Sequence, residues 1–235
     1  FQHDVGKENA ILIHVTLIPY LKASGEMKTK PTQASVKELQ RLGIWPDILV
    51  CRSEYPVPQE MRDKIALFCN VPSENVLQNL DVDYLYEAPL AMEKEHLAQA
   101  VLKRLHLEDR EPDLQDWIEM TEALRHPKQE VEIAIVGKYT QLHDAYLSVV
   151  EALKHGGISC HADIQFRWTD SEEITEEDLE EKLGGVDGIL VPGGFGKRGT
   201  EGMILAAEYA RRVNIPFLGI CLGMEMAIVA FGRYV

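Results

Sequence analysis

The feature that most constrains this chain is a repeated alternation of short runs rich in Val, Ile and Leu with stretches of helical periodicity. AILIHVTLI (10–18), DILVC (47–51) and residues 75–77 read as strands. Between them, Thr32 is expected to cap a helix with Val36, Leu39 and Leu42 on one face and Gly43 as its stop. Pro58 opens another helix, carrying Met61, Ile65 and Phe68. Runs that are apolar throughout belong to sheets covered on both faces, and strand–helix–strand order makes neighbouring strands parallel.

An amphipathic helix is expected over 94–107. The polar, Pro-punctuated stretch EDREPDLQDWIEMTEALRHPKQE then reads as a connector with one short helix. The alternation restarts with VEIAIVG as strand, a helix over 144–155, ADIQFRW as strand, an acidic helix, VDGILVPGG as strand, a helix over 200–212 and IPFLGIC as strand. The expected fold is α/β: two doubly wound parallel-sheet domains, both truncated, joined by a partly helical linker. The boundaries are 1–107, 108–129 and 130–235. FQHDVGKEN reads as neither a helix start nor a processed terminus, which implies upstream sequence, and the second domain stops at Val235 just after a helix begins.

Charge narrows the partners. With 24 basic and 38 acidic residues, net −14, most of the surface repels nucleic acid, so any phosphate site must be a local basic pocket. The apolar runs are too short or too interrupted to span a bilayer and no basic leader precedes them. Four widely spaced cysteines without a CxxC pair fit reduced thiols in a cytoplasm rather than a disulfide framework or a metal site. Cys51, Cys69 and Cys160 sit in apolar runs and read as inert core. In the acidic run DSEEITEEDLEEK the carboxylates follow a solvated helix face, with Leu179 and Leu183 turned inward.

Cys221 stands apart. In GICLGM an apolar strand runs into the cysteine, with Gly219 two residues before and Gly223 two after, the cysteine form of a nucleophile elbow. A strand-to-helix turn that tight leaves no room for a Cβ at those two positions. The helix from Leu222 aims its positive dipole end and amides at the sulfur, favouring a thiolate and offering an N–H to an oxyanion. VPGGFGKRG (191–199) closes the preceding strand. In a parallel sheet both loops open at the same carboxyl edge, and Gly193 and Gly194 can bring bare backbone N–H groups to a tetrahedral intermediate.

PGGFGKRGTEG followed by GICLGM resembles the class I glutamine amidotransferase domain, in the version fused in CTP synthases. GEMKTKPTQASVKEL (25–39) is similar to the UTP-binding segment of the amidoligase domain in that family, and KIALFCNVP (64–72) to its second basic contact. The resemblance covers nearly the whole chain. It implies ATP-dependent amination of UTP to CTP with ammonia from glutamine, Mg2+ bound by ligands outside this chain, GTP as activator, CTP as feedback inhibitor and a homotetramer. It places UTP or CTP on Lys28, Thr29, Lys30, Pro31, Thr32, Gln33 and Lys64, and the ATP adenine by Asp81 and Val82. Glutamine falls by Gly193, Gly194, Leu222 and Glu225, with Cys221 as nucleophile and the Gly194 and Leu222 amides as oxyanion donors. Lysines before a helix N-terminus suit a polyphosphate on physical grounds as well.

Two departures qualify this. Family members usually carry Gln four residues after the nucleophile, where this chain has Glu225, which lacks an amide donor and adds negative charge. The P-loop, the magnesium carboxylates and the His and carboxylate that complete the triad are expected outside the chain, which by itself should not complete the reaction. His143, His155 and His161 match no catalytic motif and read as surface or structural. The rival readings are a non-catalytic nucleotide-binding or assembly remnant, and a hydrolase using the same elbow.

Overall fold

The computed structural model describes residues 1–235, except for the side chain of His143, whose reading therefore lies outside the described residues. The chain divides into two compact units, Phe1–Thr121 and Glu122–Val235.

In the first unit, strands β1 (Ile13–Leu17), β2 (Ile48–Ser53) and β3 (Val76–Leu80) form a parallel sheet in that order. A small antiparallel hairpin pairs Tyr20–Leu21 with Glu26–Met27. Helices α1 (Lys30–Arg41) and α2 (Gln59–Cys69) make the first two crossovers. Two further helices follow β3, α3 (Ala88–Lys94) and α4 (Leu97–Arg104).

Strand β2 shows why its sequence is apolar without alternation. Leu49 and Cys51 pack with Val36 of α1 and Ile65 and Cys69 of α2, while Ile48 and Val50 face Met92, Leu97 and Val101. Both faces are thus covered, and each fully buried aliphatic side chain contributes about 1.5–3 kcal/mol.

Several details differ from the sequence reading. In β1 the alternate residues Val15 and Leu17 are 59% and 56% exposed, so one face of this strand is open in the chain described. The helix expected over 94–107 is two helices, broken at His96, which takes a left-handed φ of 59°. Leu42 and Phe68 lie on exposed rather than core faces; Ala66 and Cys69 fill the position expected of Phe68. Thr32 does not cap α1. The helix begins three residues earlier than that cap would place it, with Thr29 at the N-cap, and the Thr32 hydroxyl donates instead to the Leu17 carbonyl at 2.8 Å.

Helix α5 (Gln115–Arg125) comes next in the chain, and the unit boundary falls within it. In the second unit, β4 (Gln129–Gly137), β5 (Ala162–Asp170), β6 (Gly188–Val191) and β7 (Phe217–Gly219) form a parallel sheet ordered β5-β4-β6-β7. Helix α6 (Leu147–Ser159) links β4 to β5, α7 (Leu179–Leu183) precedes β6, and α8 (Thr200–Val213) and α9 (Leu222–Tyr234) flank β7. Ala134, Val136, Ile189 and Val191 pack with Leu179, Leu183, Met203, Ala206 and Leu222 in one core, so the two leucines of the acidic run do face inward. Cys160, expected in a core, is exposed, because it falls at the end of α6 just before a turn.

The chain leaves β4 on one side to form β5 and returns on the other side to form β6. That reversal opens a crevice at the carboxyl ends of β4 and β6, where ligands of open α/β sheets bind.

Candidate active site

β7 delivers the chain directly into Cys221, which adopts φ 50°, ψ −107° and is exposed. A left-handed φ at a non-glycine residue stores strain of order 1–3 kcal/mol, held here by surrounding backbone. The Ile220 N–H donates to the Val191 carbonyl at 2.9 Å, and the Gly223 N–H to the Ile220 carbonyl at 2.9 Å, closing the turn as α9 starts at Leu222.

The two flanking glycines are required by close approach. A Cβ on Gly219 would stand 2.6 Å from the Gly223 carbonyl carbon and the Met224 nitrogen. One on Gly223 would stand 2.8 Å from the Val191 carbonyl carbon and closer still to its oxygen. The loop after β6 lies beside this turn: the Cβ position of Gly193 is 3.6 Å from the Cys221 Cβ, and that of Gly194 is 3.4 Å from Leu222 Cδ2. Thus Gly193, Gly194, Cys221 and Leu222 come together at one sheet edge, with a thiol at the N-terminal end of a 13-residue helix. Such an arrangement can present a thiolate to an electrophilic carbon while backbone amides meet the developing charge.

Glu225 occupies the first turn of α9, exposed, with its N–H donating to the Cys221 carbonyl at 3.1 Å. His155 lies on α6 and His161 in the turn after it, with φ 51°; both are exposed.

Sequence reasoning did not single out Lys138. It follows β4 at the crevice, is only 4% exposed, and donates from Nζ to the carbonyls of Phe195 at 2.9 Å and Gly196 at 2.7 Å. Burial, and then the nearby Arg198 charge, lower its pKa. A lysine immediately after an apolar strand at a switch point was the available signal.

The first unit holds a cleft of about 570 Å3 lined by Glu26, Met27, Lys28, Thr29, Lys30, Pro58, Glu60, Met61 and Lys64. The hairpin brings Lys28, the N-terminal turn of α1 brings Lys30, and α2 brings Lys64, so three residues singled out from sequence meet here. Thr29 also lines the cleft, although nearly buried. Thr32 and Gln33 do not: both are buried, the first on the Leu17 carbonyl and the second donating to Thr29 Oγ1 at 3.2 Å. Pro31 is exposed in the first turn of α1.

Asp81, just beyond β3, pairs with Arg52 at 3.5 Å, and the neighbouring Val82 is partly exposed. Glu26 was overlooked. It forms an ion pair with Lys28, and that hydrogen bond holds its carboxyl below the usual range. Residues two apart on an extended segment project to the same side, which was the signal for this pairing.

Among the described residues no group of three or more His, Cys, Asp and Glu could hold a metal ion. No helix among them is long and apolar enough to cross a membrane.

Comparison with known proteins decides the family. Residues 1–107 match the model described as CTP synthase N-terminus, and residues 141–235 match glutamine amidotransferase class-I. The CTP synthase of Ruminiclostridium cellulolyticum is 58% identical over 233 residues, 99% of this chain and 44% of that protein. The chain belongs to the CTP synthase family. CTP synthases of Clostridium kluyveri and Symbiobacterium thermophilum are 55% and 56% identical over 100% and 99% of the chain, again 44% of each relative. The chain thus spans under half the length of these family members. A Trypanosoma brucei CTPS glutaminase domain with bound acivicin is 42% identical, with a TM-score of 0.42 over 45% of this chain and 41% of that one.

Proposed function

We propose that the protein to which this chain belongs makes CTP from UTP, with ATP as co-substrate and glutamine as the source of ammonia. The reading rests on family membership together with one observation: Cys221, held at a strained backbone angle, faces the Gly193 and Gly194 loop across a collar of Cβ-free positions.

In this mechanism the Cys221 thiolate attacks the side-chain amide carbon of glutamine. The Gly194 and Leu222 amides receive the oxyanion, ammonia departs as the thioester forms, and water releases glutamate. UTP, or CTP as feedback inhibitor, sets its phosphates among Lys28, Lys30 and Lys64. In the other half-reaction ATP phosphorylates the UTP 4-oxygen, and ammonia displaces phosphate to give CTP. Asp81 and Val82 are proposed to face the ATP adenine. GTP activation, a homotetramer and a cytoplasmic setting belong to the same reading. The magnesium that would accompany ATP enters no step derived from these residues.

Cys221→Ala in the complete protein is the test. The expected result is loss of glutamine-dependent CTP formation with ammonia-dependent formation retained. Retained glutamine hydrolysis would remove the nucleophile from Cys221.

A further inference from the structure

We infer that Lys138 is a positioning residue for glutamine hydrolysis: its buried ammonium clamps two loop carbonyls and thereby holds the Gly193 and Gly194 amides against the nucleophile turn. This rests on the proposed role of Cys221.

The loop needs an external anchor. It is rich in glycine, whose backbone is costly to order, and Gly196 takes a φ of 76°. Its aromatic side chain supplies no hold, since Phe195 is 90% exposed. Yet its backbone is gripped, because Lys138 Nζ donates to the consecutive carbonyls of Phe195 and Gly196. A trans peptide carries its carbonyl and the following N–H on opposite sides, so fixing these two carbonyls fixes two peptide planes just beyond Gly194. It also keeps their oxygens turned to a cation, away from an oxyanion that they would repel.

The lysine is itself held in place. Tyr146 Oη accepts from the N–H groups of Lys138 at 3.1 Å and Tyr139 at 3.3 Å, filling the space that a side chain at Gly137 would occupy. Arg198 Nη2 donates to the Lys138 carbonyl at 3.4 Å. Its guanidinium pairs with Glu172 and lies 5.6 Å from the centre of the Tyr139 ring. Burying an ammonium is expensive unless its donors are satisfied, and here the partners are the loop carbonyls themselves. The aliphatic stem joins the contact as well: Lys138 Cε is 3.9 Å from the Gly194 Cβ position.

The test compares two reactions of Cys221 in the complete protein. Glutamine hydrolysis forms an oxyanion; alkylation by iodoacetamide, a direct displacement of iodide, does not. Lys138→Met should lower glutaminase kcat by about 10- to 100-fold, short of or equal to loss of a whole oxyanion donor, with glutamine KM within about threefold. Alkylation of Cys221, read by mass spectrometry, should stay within about twofold, and Lys138→Arg should recover part of kcat. Wild-type kcat in Lys138→Met overturns the inference. So does an equal fall in kcat and alkylation that Lys138→Arg leaves unrecovered, which marks a lysine with only a structural role. If Lys138→Met does not fold, Lys138→Gln replaces it, judged by the same two rates. Cys221→Ala separates the readings: if it still hydrolyses glutamine the nucleophile assignment fails, and if it is inert while Lys138→Met is normal, only the clamp fails.

Discussion

Gly223→Ala tests the collar around Cys221 by steric means alone. The added methyl would stand 2.8 Å from the Val191 carbonyl carbon and 2.9 Å from its Cβ, closer than real Cβ atoms come, and the obstacle is strand backbone rather than a flexible side-chain end. Either α9 must lift from β6 or the β6 end must give way. Alanine's better helix propensity returns at most about 1 kcal/mol, while overpacking costs about 1–3 kcal/mol, so the net loss of stability should be about 1–2 kcal/mol. The effect on chemistry should be larger, because displacing a nucleophile by about 1 Å can cost about 100-fold in rate. Gly232→Ala is the matched control on the same helix: nothing lies within 4 Å of its Cβ position, and it should be neutral or slightly stabilising. The assay is glutaminase kcat/KM beside ammonia-dependent activity and a denaturation midpoint for each variant. If Gly223→Ala keeps kcat/KM within threefold of wild type at unchanged stability, the reasoning is wrong.

Glu225→Gln removes a charge from the first turn after the nucleophile and supplies an amide donor, so glutamine KM should fall several-fold; unchanged constants would discard a role for Glu225 in binding. Burial pushes the Cys51 thiol up to about 12 and raises that of Cys69, so iodoacetamide at pH 8 should label the exposed Cys160 and Cys221 and reach the other two only on unfolding. Labelling of Cys51 in folded protein, located by peptide mapping, would contradict this.

Glu95 concerns pH. Burial raises its pKa, but hydrogen bonds from Arg62 and Gln78 outweigh that and leave it below the usual carboxylate range. A depressed carboxylate contributes stability that is full above its unfolded pKa and is lost as pH falls through the folded one. The stability gap between wild type and Glu95→Gln, measured by urea unfolding, should therefore shrink as pH falls below the ordinary carboxylate range; a gap constant across that fall would refute the assignment.

What was legible in the sequence was local. The glycines two before and two after Cys221 announce a turn whose geometry is settled within five residues. The unbroken apolar run of β2 announces burial on both faces. Long-range pairing hid the rest. β1 is as apolar as β2, and only the folded chain shows that one of its faces is open. Thr29 and Thr32 are both plausible caps, and the Leu17 carbonyl, 15 residues before Thr32, takes that hydroxyl. The break at His96 carries neither glycine nor proline to signal it. Lys138 meets its carbonyl partners 57 and 58 residues away, beyond any motif read along the chain. The lysines of the basic cleft were readable one by one, but that Lys64 joins Lys28 and Lys30 there depends on the packing of α2 against α1.

The ion pair between Glu26 and Lys28 changes what binding in that cleft would be. An anion arriving there does not meet a vacant cation; it competes with a tethered carboxylate already in place. Occupancy then becomes an exchange, in which the incoming group must offer Lys28 more than Glu26 does and leave Glu26 to water. A singly charged anion gains little from such a trade, whereas a polyphosphate that also reaches Lys30 and Lys64 gains enough to complete it. Because both side chains of the pair remain solvent-exposed, the threshold this sets against weak anions is a shallow one.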